Sequence, residues 1–166
     1  CLKNKRYLIF GIIFCLIILS IGFYYNQSIK NNNDIIVKQT KYLDDKNYNI
    51  LDSNGIISSF VLKKEMLRRL PYQNIFGVQE GLNIKNYFNK TIDIYSYTVN
   101  GHILDSYGDM NETKVYLMVC ENKIIGGYSL PNNTTQLLGG VYSIDGRTLD
   151  EVTGLDYPTW QEEWNK

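Results

Sequence analysis

The chain contains one histidine, His102, and its surroundings are the part of the sequence best suited by residue type to acid–base chemistry. The histidine follows Gly101, which predicts a turn, and it lies near the carboxylates of Asp105 and Asp109. A histidine with a carboxylate at hydrogen-bond distance can act as a general base. This pattern gives one alternative for the function, a hydrolase-like enzyme that uses His102 with Asp105 or Asp109.

Other features of the sequence argue against that alternative. The chain has neither a Gly-x-Ser-x-Gly elbow nor a Ser-x-x-Lys motif that would supply a nucleophile beside the histidine. A single histidine without a nucleophilic partner is more often a surface residue, so we expect His102 to lie in an exposed loop. The leading prediction is therefore that the protein has no catalytic residues and is not an enzyme.

The same loop gathers oxygen atoms that could bind a cation. Asp105, Asp109, Asn111 and Glu112 supply side-chain oxygens of the kind calcium prefers, but their spacing does not fit an EF-hand. A solvated acidic turn is the expected structure. One histidine and one cysteine after residue 25, Cys120, are too few for a zinc site. The sequence predicts no metal and no cofactor.

Two further surfaces could bind a partner. Trp160 and Trp164 are four residues apart, which places them on one face of a predicted C-terminal helix. Tryptophans often anchor interfaces, but we expect this face to dock on the sheet of the domain itself. A helix predicted over residues 62–70 has a basic face that can contact an anionic envelope polymer or lipid headgroups. That face consists of Lys63, Lys64, Arg68 and Arg69.

The N-terminal 25 residues are predicted to anchor the protein in a membrane. Basic residues at positions 3, 5 and 6 precede an uncharged, strongly apolar run over residues 7–25. A helix of this length covers about 28 Å, close to the thickness of the hydrocarbon core of a bilayer. Because basic flanks stay in the cytoplasm, we expect a single-pass protein of the cell membrane whose remaining residues are extracytoplasmic.

Two other interpretations of this segment differ in how well they fit. A signal peptide cleaved before Phe23 is the alternative, because Ser20 and Gly22 are small residues near the end of the run. A lipoprotein acylated at Cys15 is not expected, since Phe14 stands where such signals need a small residue.

The charge balance excludes one class of partner. Three of the 17 basic residues and none of the 17 acidic residues precede residue 26, so the remainder has 14 basic and 17 acidic residues and a net charge of −3. Nucleic-acid binding requires a strongly basic surface, so no nucleic-acid partner is expected.

The predicted architecture is one domain behind a short spacer. Residues 26–33 are polar and predict the spacer, and residues 34–166 form an α+β domain that begins with a helix capped by Asp34. Alternating and apolar runs predict an antiparallel sheet of about four to six strands with helices packed on one face, behind one N-terminal transmembrane helix. The expected strands cover residues 48–51 and 56–61, joined by a turn at 52–55, and residues 91–99, 115–120, 124–130 and 137–144.

Many positions over roughly the last 90 residues follow the pattern of a known family. They are Gln79, Gly81, Leu82, Tyr87, Lys90, Tyr95, Tyr97, Val99, residues 124–128, residues 139–143, Asp145, Gly146, Thr148, Leu149, residues 151–154 and Trp160. This pattern resembles a family of domains of unknown function (DUF4830-like) found in anchored or exported proteins of Gram-positive, often spore-forming, bacteria. The resemblance implies an extracytoplasmic location and a fold, and it supplies no catalytic residue. The resulting prediction is a membrane-anchored envelope binding or interaction module, with an envelope protein or an anionic polymer as its partner.

Overall fold

The structure of the protein is a computed structural model that describes residues 2–134 and 140–166; within these ranges, the side chains of residues 2–15, 28–29 and 31–32 are not described. The chain divides into two compact units, residues 1–37 and residues 38–166. The fold is α+β, as predicted, and its sheet has five antiparallel strands.

The first unit lies within one long helix, α1, which begins at Leu2 and ends at Asp44. Residues 26–33, predicted as a spacer preceding a helix that starts at Asp34, are themselves helical. Asparagine is a weak helix former, but no glycine or proline occurs between Phe23 and Asp44. Because each residue added to an existing helix adds a hydrogen bond, the helix continues through the polar stretch and Asp34 does not start a new one.

The described apolar side chains in the N-terminal part of α1 are exposed. From Leu16 to Tyr25 every large apolar side chain is at least 50% exposed. No helix within the residues whose side chains are described is long and apolar enough to cross a membrane. In the predicted membrane segment, residues 7–25, the side chains of residues 7–15 lie outside the described residues.

The second unit is built on a sheet whose strands follow one another in space in the same order as in the sequence. The strands are β1 (Asn49–Val61), β2 (Thr91–Asn100), β3 (Thr113–Cys120), β4 (Lys123–Pro131) and β5 (Tyr142–Ser143). Every neighbouring pair is antiparallel. The predicted strands over residues 91–99, 115–120 and 124–130 are confirmed. The last predicted strand, residues 137–144, falls partly outside the described residues, and its described portion includes β5.

The predicted first hairpin is wrong, because residues 49–61 form one continuous edge strand. The expected turn over residues 52–55 is instead extended, and the register of β1 against β2 shifts three times, leaving Leu51, Asn54 and Ile57 as extra residues. Gly55 has a positive φ of 65°, which is the backbone conformation that the predicted turn required. This conformation occurs within the bulged strand and not in a turn. An edge strand tolerates such bulges because only one of its sides is hydrogen-bonded.

The sheet is covered on both faces. On one face, Ile92, Ile94 and Met118 belong to a buried core with Phe76 of α2 (Tyr72–Gly77). The short helices α3 (Leu149–Thr153) and α4 (Tyr157–Trp164) also contribute side chains to this core.

On the other face, residues 38–44 of α1 lie against the strands. Gln39 is fully buried there, and its Oε1 accepts a hydrogen bond from the Tyr97 hydroxyl. The prediction of helices on one face is therefore wrong. The physical reason is that β2 and β3 carry buried side chains on both faces, for example Val99 and Val115 opposite the Ile92 face, so both faces need a cover.

The short helices differ in how well the sequence predicted them. The helix expected over residues 62–70 is reduced to a 3₁₀ helix, Lys64–Arg68. Pro71 disfavours helical backbone at the residue before it, which separates this turn from α2. The C-terminal helix predicted from the spacing of Trp160 and Trp164 is confirmed as α4, and the Thr148 hydroxyl and the Glu151 carboxylate form a capping box at the start of α3.

Candidate functional site

His102 is buried at the start of a 3₁₀ helix, Ile103–Tyr107, so the prediction of an exposed loop histidine is wrong. Its Nδ1 accepts a hydrogen bond from the Leu104 N–H at 3.0 Å, and its Nε2 donates to the Ile144 carbonyl at 3.0 Å. The ring also packs against Tyr48, with the ring centroids 4.7 Å apart. Burial lowers the pKa of His102, which favours the neutral ring. Both nitrogens are already bonded to backbone groups.

Asp105 supports the same turn through its carboxylate. One oxygen accepts hydrogen bonds from the backbone N–H groups of Gly101 at 2.7 Å and His102 at 3.0 Å. The other accepts from the Thr113 hydroxyl at 2.6 Å. The carboxylate is therefore bonded to the backbone of His102 and to the start of β3, and the described hydrogen bonds do not join it to the imidazole ring.

Asp109 lies apart from this cluster in its hydrogen bonding. Its carboxylate accepts hydrogen bonds from the Thr134 backbone N–H and hydroxyl, and these bonds lower the pKa of Asp109. Its own N–H donates to the Asn133 side chain at 3.0 Å. Asp105 thus bonds the backbone of His102 and Asp109 bonds Thr134, and no hydrogen bond of the described residues joins the His102 ring to either carboxylate.

The acidic loop does not assemble a metal site. Among the described residues, no three His, Cys, Asp or Glu side chains are grouped closely enough to hold a metal ion. Glu112 instead accepts a hydrogen bond from the Asn132 side chain at 3.0 Å. Cys120 is buried within the core, and burial raises the pKa of its thiol. A buried thiol with a raised pKa is typical of a structural cysteine and not of a reactive one.

Trp160 and Trp164 dock on the domain itself, as predicted, but the surface that receives them includes helices as well as the sheet core. Trp160 is 5% exposed and lies on Gly77 of α2, where a Cβ atom would be 2.5 Å from its Cζ2. The indole N–H of Trp164 donates to the Leu67 carbonyl at 2.7 Å. The two rings are 5.1 Å apart between centroids, so they form one packed unit.

Trp164 also lines an open groove of about 620 Å³. The apolar side chains of the groove come from three segments and are each half-buried: Leu67, Leu82, Ile84, Phe88 and Trp164. The basic side chains at its rim are exposed: Lys64, Arg68, Lys85 and Lys166. Asn83 completes the lining. A volume of this size is within the range of pockets that bind ligands.

The charge of the groove is unbalanced. No acidic residue lines it, and within the described part of the chain none of its four basic side chains forms an ion pair. One guanidinium nitrogen of Arg68 donates to the Asn165 carbonyl at 3.2 Å. Four positive charges therefore lie together in a part of the protein whose net charge is −3.

A second, polar cavity of about 170 Å³ contrasts with the groove. Its charged residues are paired with one another: Arg147 with Glu80, and Lys46 with Asp145 at 2.6 Å. Because these pairs neutralise the cavity from within, it offers no charge for a ligand. The groove is the better candidate for a binding site.

The sequence anticipated only part of the groove. Of the predicted basic face, Lys64 and Arg68 line it, whereas the Lys63 amine bonds the Asn89 side chain at 2.8 Å. Trp164 had been named as a candidate binding residue, whereas Lys85, Lys166 and the other apolar residues of the groove were missed. The local sequence over residues 82–88 mixes apolar residues with Lys85, and such a mixture is equally typical of an ordinary surface turn.

The groove offers apolar contact on its floor and positively charged hydrogen-bond donors on its rim. The resemblance to an extracytoplasmic domain family remains an expectation drawn from the residues. Comparisons of the chain with protein-family models, with curated proteins and with solved structures find no match.

Proposed function

We propose that the protein is a membrane-anchored extracytoplasmic binding module without enzymatic activity, and that its ligand binds in the groove. The observation that carries this proposal is the presence of half-buried apolar side chains and unpaired basic side chains in one open groove. Ligand sites commonly combine an apolar lining with a few polar groups that fix orientation. The residues of acid–base type, His102 and Asp105, are instead engaged in hydrogen bonds that hold a turn.

The membrane anchor is supported by the character of residues 7–25. The apolar side chains described within this run are exposed, from Leu16 to Tyr25. A helix that is apolar on all sides is stable only inside a protein core or a membrane. The basic residues that precede the run favour a cytoplasmic N-terminus, and the resemblance to domains of exported or anchored proteins favours the same placement.

The topology can be tested with a reporter enzyme that is active only in the cytoplasm, fused after Lys166. We expect the fusion to be inactive, because the fused reporter would lie outside the cytoplasm. The matched control is the same fusion without residues 2–25, which should be active. Strong activity of the fusion that retains these residues would contradict the proposed location.

The binding function can be separated from the hydrolase alternative in cells that lack the native gene. A variant with Lys64→Glu and Lys85→Glu should fail to restore the missing function, because both changes reverse the charge of the groove. His102→Gln, expressed to the same folded level, should restore it. The opposite pattern, with loss only in His102→Gln, would favour the hydrolase and refute the proposal.

A further inference from the structure

We propose that the ligand of the groove is an acidic peptide segment with apolar or aromatic side chains, presented by another protein. This inference rests on the proposed binding function and names the chemical class of the ligand. It follows from the composition of the floor, the composition of the rim and the way in which the two are interleaved.

The floor requires a ligand with apolar groups. The only polar atom of the Trp164 side chain, its indole nitrogen, is already bonded to the Leu67 carbonyl, so the ring offers the ligand apolar surface. Phe88 and Ile84 add to this surface from a different segment of the chain. Covering such side chains removes apolar area from water, which favours association. A purely ionic polymer such as polyphosphate has no apolar groups that could cover these side chains.

The rim requires several negative charges. Lys64 and Arg68 are the first and last residues of the 3₁₀ helix that follows β1. Lys85 lies on the segment 82–88, and Lys166 follows α4. Arginine can hold a carboxylate through two parallel hydrogen bonds, and lysine acts as a point charge that tolerates several ligand geometries. Basic groups on three segments match a ligand whose acidic groups are spread along a chain.

This interleaving distinguishes a peptide from an anionic lipid. A phospholipid has its charge at one end and its apolar chains at the other, whereas each of the three segments that line the groove contributes both basic and apolar side chains. The groove is also partly open to solvent, which leaves an acyl chain incompletely covered. In a peptide, carboxylates and apolar side chains alternate along one backbone, so both parts of the groove are used together.

The experiment begins with the full chain, immobilised in a non-ionic detergent and used to select from a random peptide display library. We expect enrichment of peptides that combine aspartate or glutamate with aromatic or aliphatic residues. An enriched peptide is then labelled and its affinity measured by fluorescence anisotropy. Binding should weaken with rising salt, and replacement of the apolar residues of the peptide by serine should abolish it.

Single charge reversals locate the site. Lys85→Glu should weaken binding of the enriched peptide by about tenfold or more, because a like charge is placed against its carboxylates. The matched control is Lys123→Glu, at an exposed lysine that is the first residue of β4, which should change the affinity by less than about twofold. Circular dichroism melts of both variants establish that they are folded.

Polyphosphate and a soluble short-chain anionic phospholipid are measured as competing probes. Selected peptides without acidic residues, or peptide binding unchanged by Lys85→Glu, would overturn the inference. A third outcome is that polyphosphate or phospholipid binds to the parent protein but not to Lys85→Glu, and that no peptide binds. This outcome refutes the peptide assignment and leaves the proposed binding function standing. If none of the three probes binds the parent protein, both proposals are refuted.

Discussion

His102 and Asp105 satisfy backbone groups in the connection between β2 and β3. The imidazole bonds the Leu104 N–H and the Ile144 carbonyl, and the carboxylate bonds two further N–H groups. Buried backbone groups without partners are costly, so side chains of this type are valuable where a chain turns inside a domain. The spacing of His102 and Asp105 in the sequence is equally compatible with catalysis. The sequence does not show that Nε2 of His102 is hydrogen-bonded, because its partner, the Ile144 carbonyl, lies 42 residues away along the chain.

The burial of His102 predicts a specific pH dependence of stability. Burial lowers its pKa in the folded protein below the ordinary value of about 6.5, so the unfolded chain binds a proton more readily. Stability is therefore complete above about pH 6.5 and is lost as the pH falls below it, by at most about 1.4 kcal/mol per pH unit. Urea denaturation between pH 7.5 and about pH 5 measures this loss.

The control for this prediction is His102→Gln, which has no group that titrates in the same range. The protein has one histidine, and carboxylates titrate mainly below this window, so the variant should show a nearly flat free energy of unfolding. An equal pH dependence in the parent protein and the variant would show that His102 is not its source.

Asp105 and Asp109 should differ in their importance for folding. Asp105→Ala leaves two backbone N–H groups and the Thr113 hydroxyl without their partner, and we expect a loss of about 1–3 kcal/mol in the free energy of unfolding. Asp109→Ala is the matched control at an exposed carboxylate and should cost less. Urea denaturation of both variants tests the order, and an equal or larger effect at Asp109 would contradict it.

At the scale of the elements, an alternating pattern predicted β2, and near-continuous apolar runs predicted β3 and β4, because these strands carry most of the buried side chains of the sheet. The edge strand β1 was predicted as a hairpin, since Asn54 and Gly55 are typical of tight turns. The same residues serve a bulge when β2 supplies a partner along the whole segment. Local sequence could not distinguish the two, because the difference lies in a strand that begins about thirty residues later.

The packing of α4 against α2 predicts coupling between Trp160 and Gly77. A methyl group at Gly77 would overlap the Trp160 ring, so Gly77→Ala should cost about 1–3 kcal/mol in the free energy of unfolding. Trp160→Ala should cost about 3–5 kcal/mol, because a buried ring is removed. In the background of Trp160→Phe, whose ring is smaller, Gly77→Ala should be less costly. Denaturation of the double-mutant cycle tests this, and strictly additive effects would contradict it.

The side chain of Gln79 completes an edge that β5 leaves open. β5 pairs with β4 only at two positions, and beyond them the Gln79 amide bonds both the N–H and the carbonyl of Gly127, at 3.0 and 2.9 Å. A Cβ atom at Gly126 would be 2.3 Å from Gln79 Oε1. Two adjacent glycines within a strand are typical of a bulge or of a close approach by another group, and the structure shows both, with the register shift at Ile125.

We therefore expect Gln79→Met to expose the Gly127 amide. The substitution keeps the length of the side chain but removes the donor and the acceptor, leaving buried backbone groups unpaired at a cost of about 1–3 kcal/mol. Hydrogen exchange of the Gly127 N–H should be faster in the variant, whereas that of Leu117 in the adjacent β3 should change less. Unchanged protection of Gly127 would show that the amide bonds contribute little.

At the scale of the whole molecule, the candidate groove is a product of tertiary structure. Its basic residues are separated by up to about one hundred positions, and the sequence identified only the two that lie on one short helix. The apolar floor was hidden because half-buried residues such as Leu82 and Phe88 look like ordinary core residues in the sequence. Composition alone suggested a mildly acidic domain, whereas folding concentrates four positive charges in one place.

Residues 1–25 belong to the first of the two compact units, and we expect the second unit to fold without them. The described side chains from Leu16 to Tyr25 are exposed, so they contribute little to the stability of a core that is formed by later residues. A chain that begins at Asn26 should therefore unfold at the same urea concentration as the full chain in detergent, and should remain soluble without detergent. Trp160→Ala should lower both midpoints equally. A non-cooperative transition in the shorter chain would show that residues 1–25 are needed for folding. The residues after the predicted anchor would then not form a stable domain by themselves.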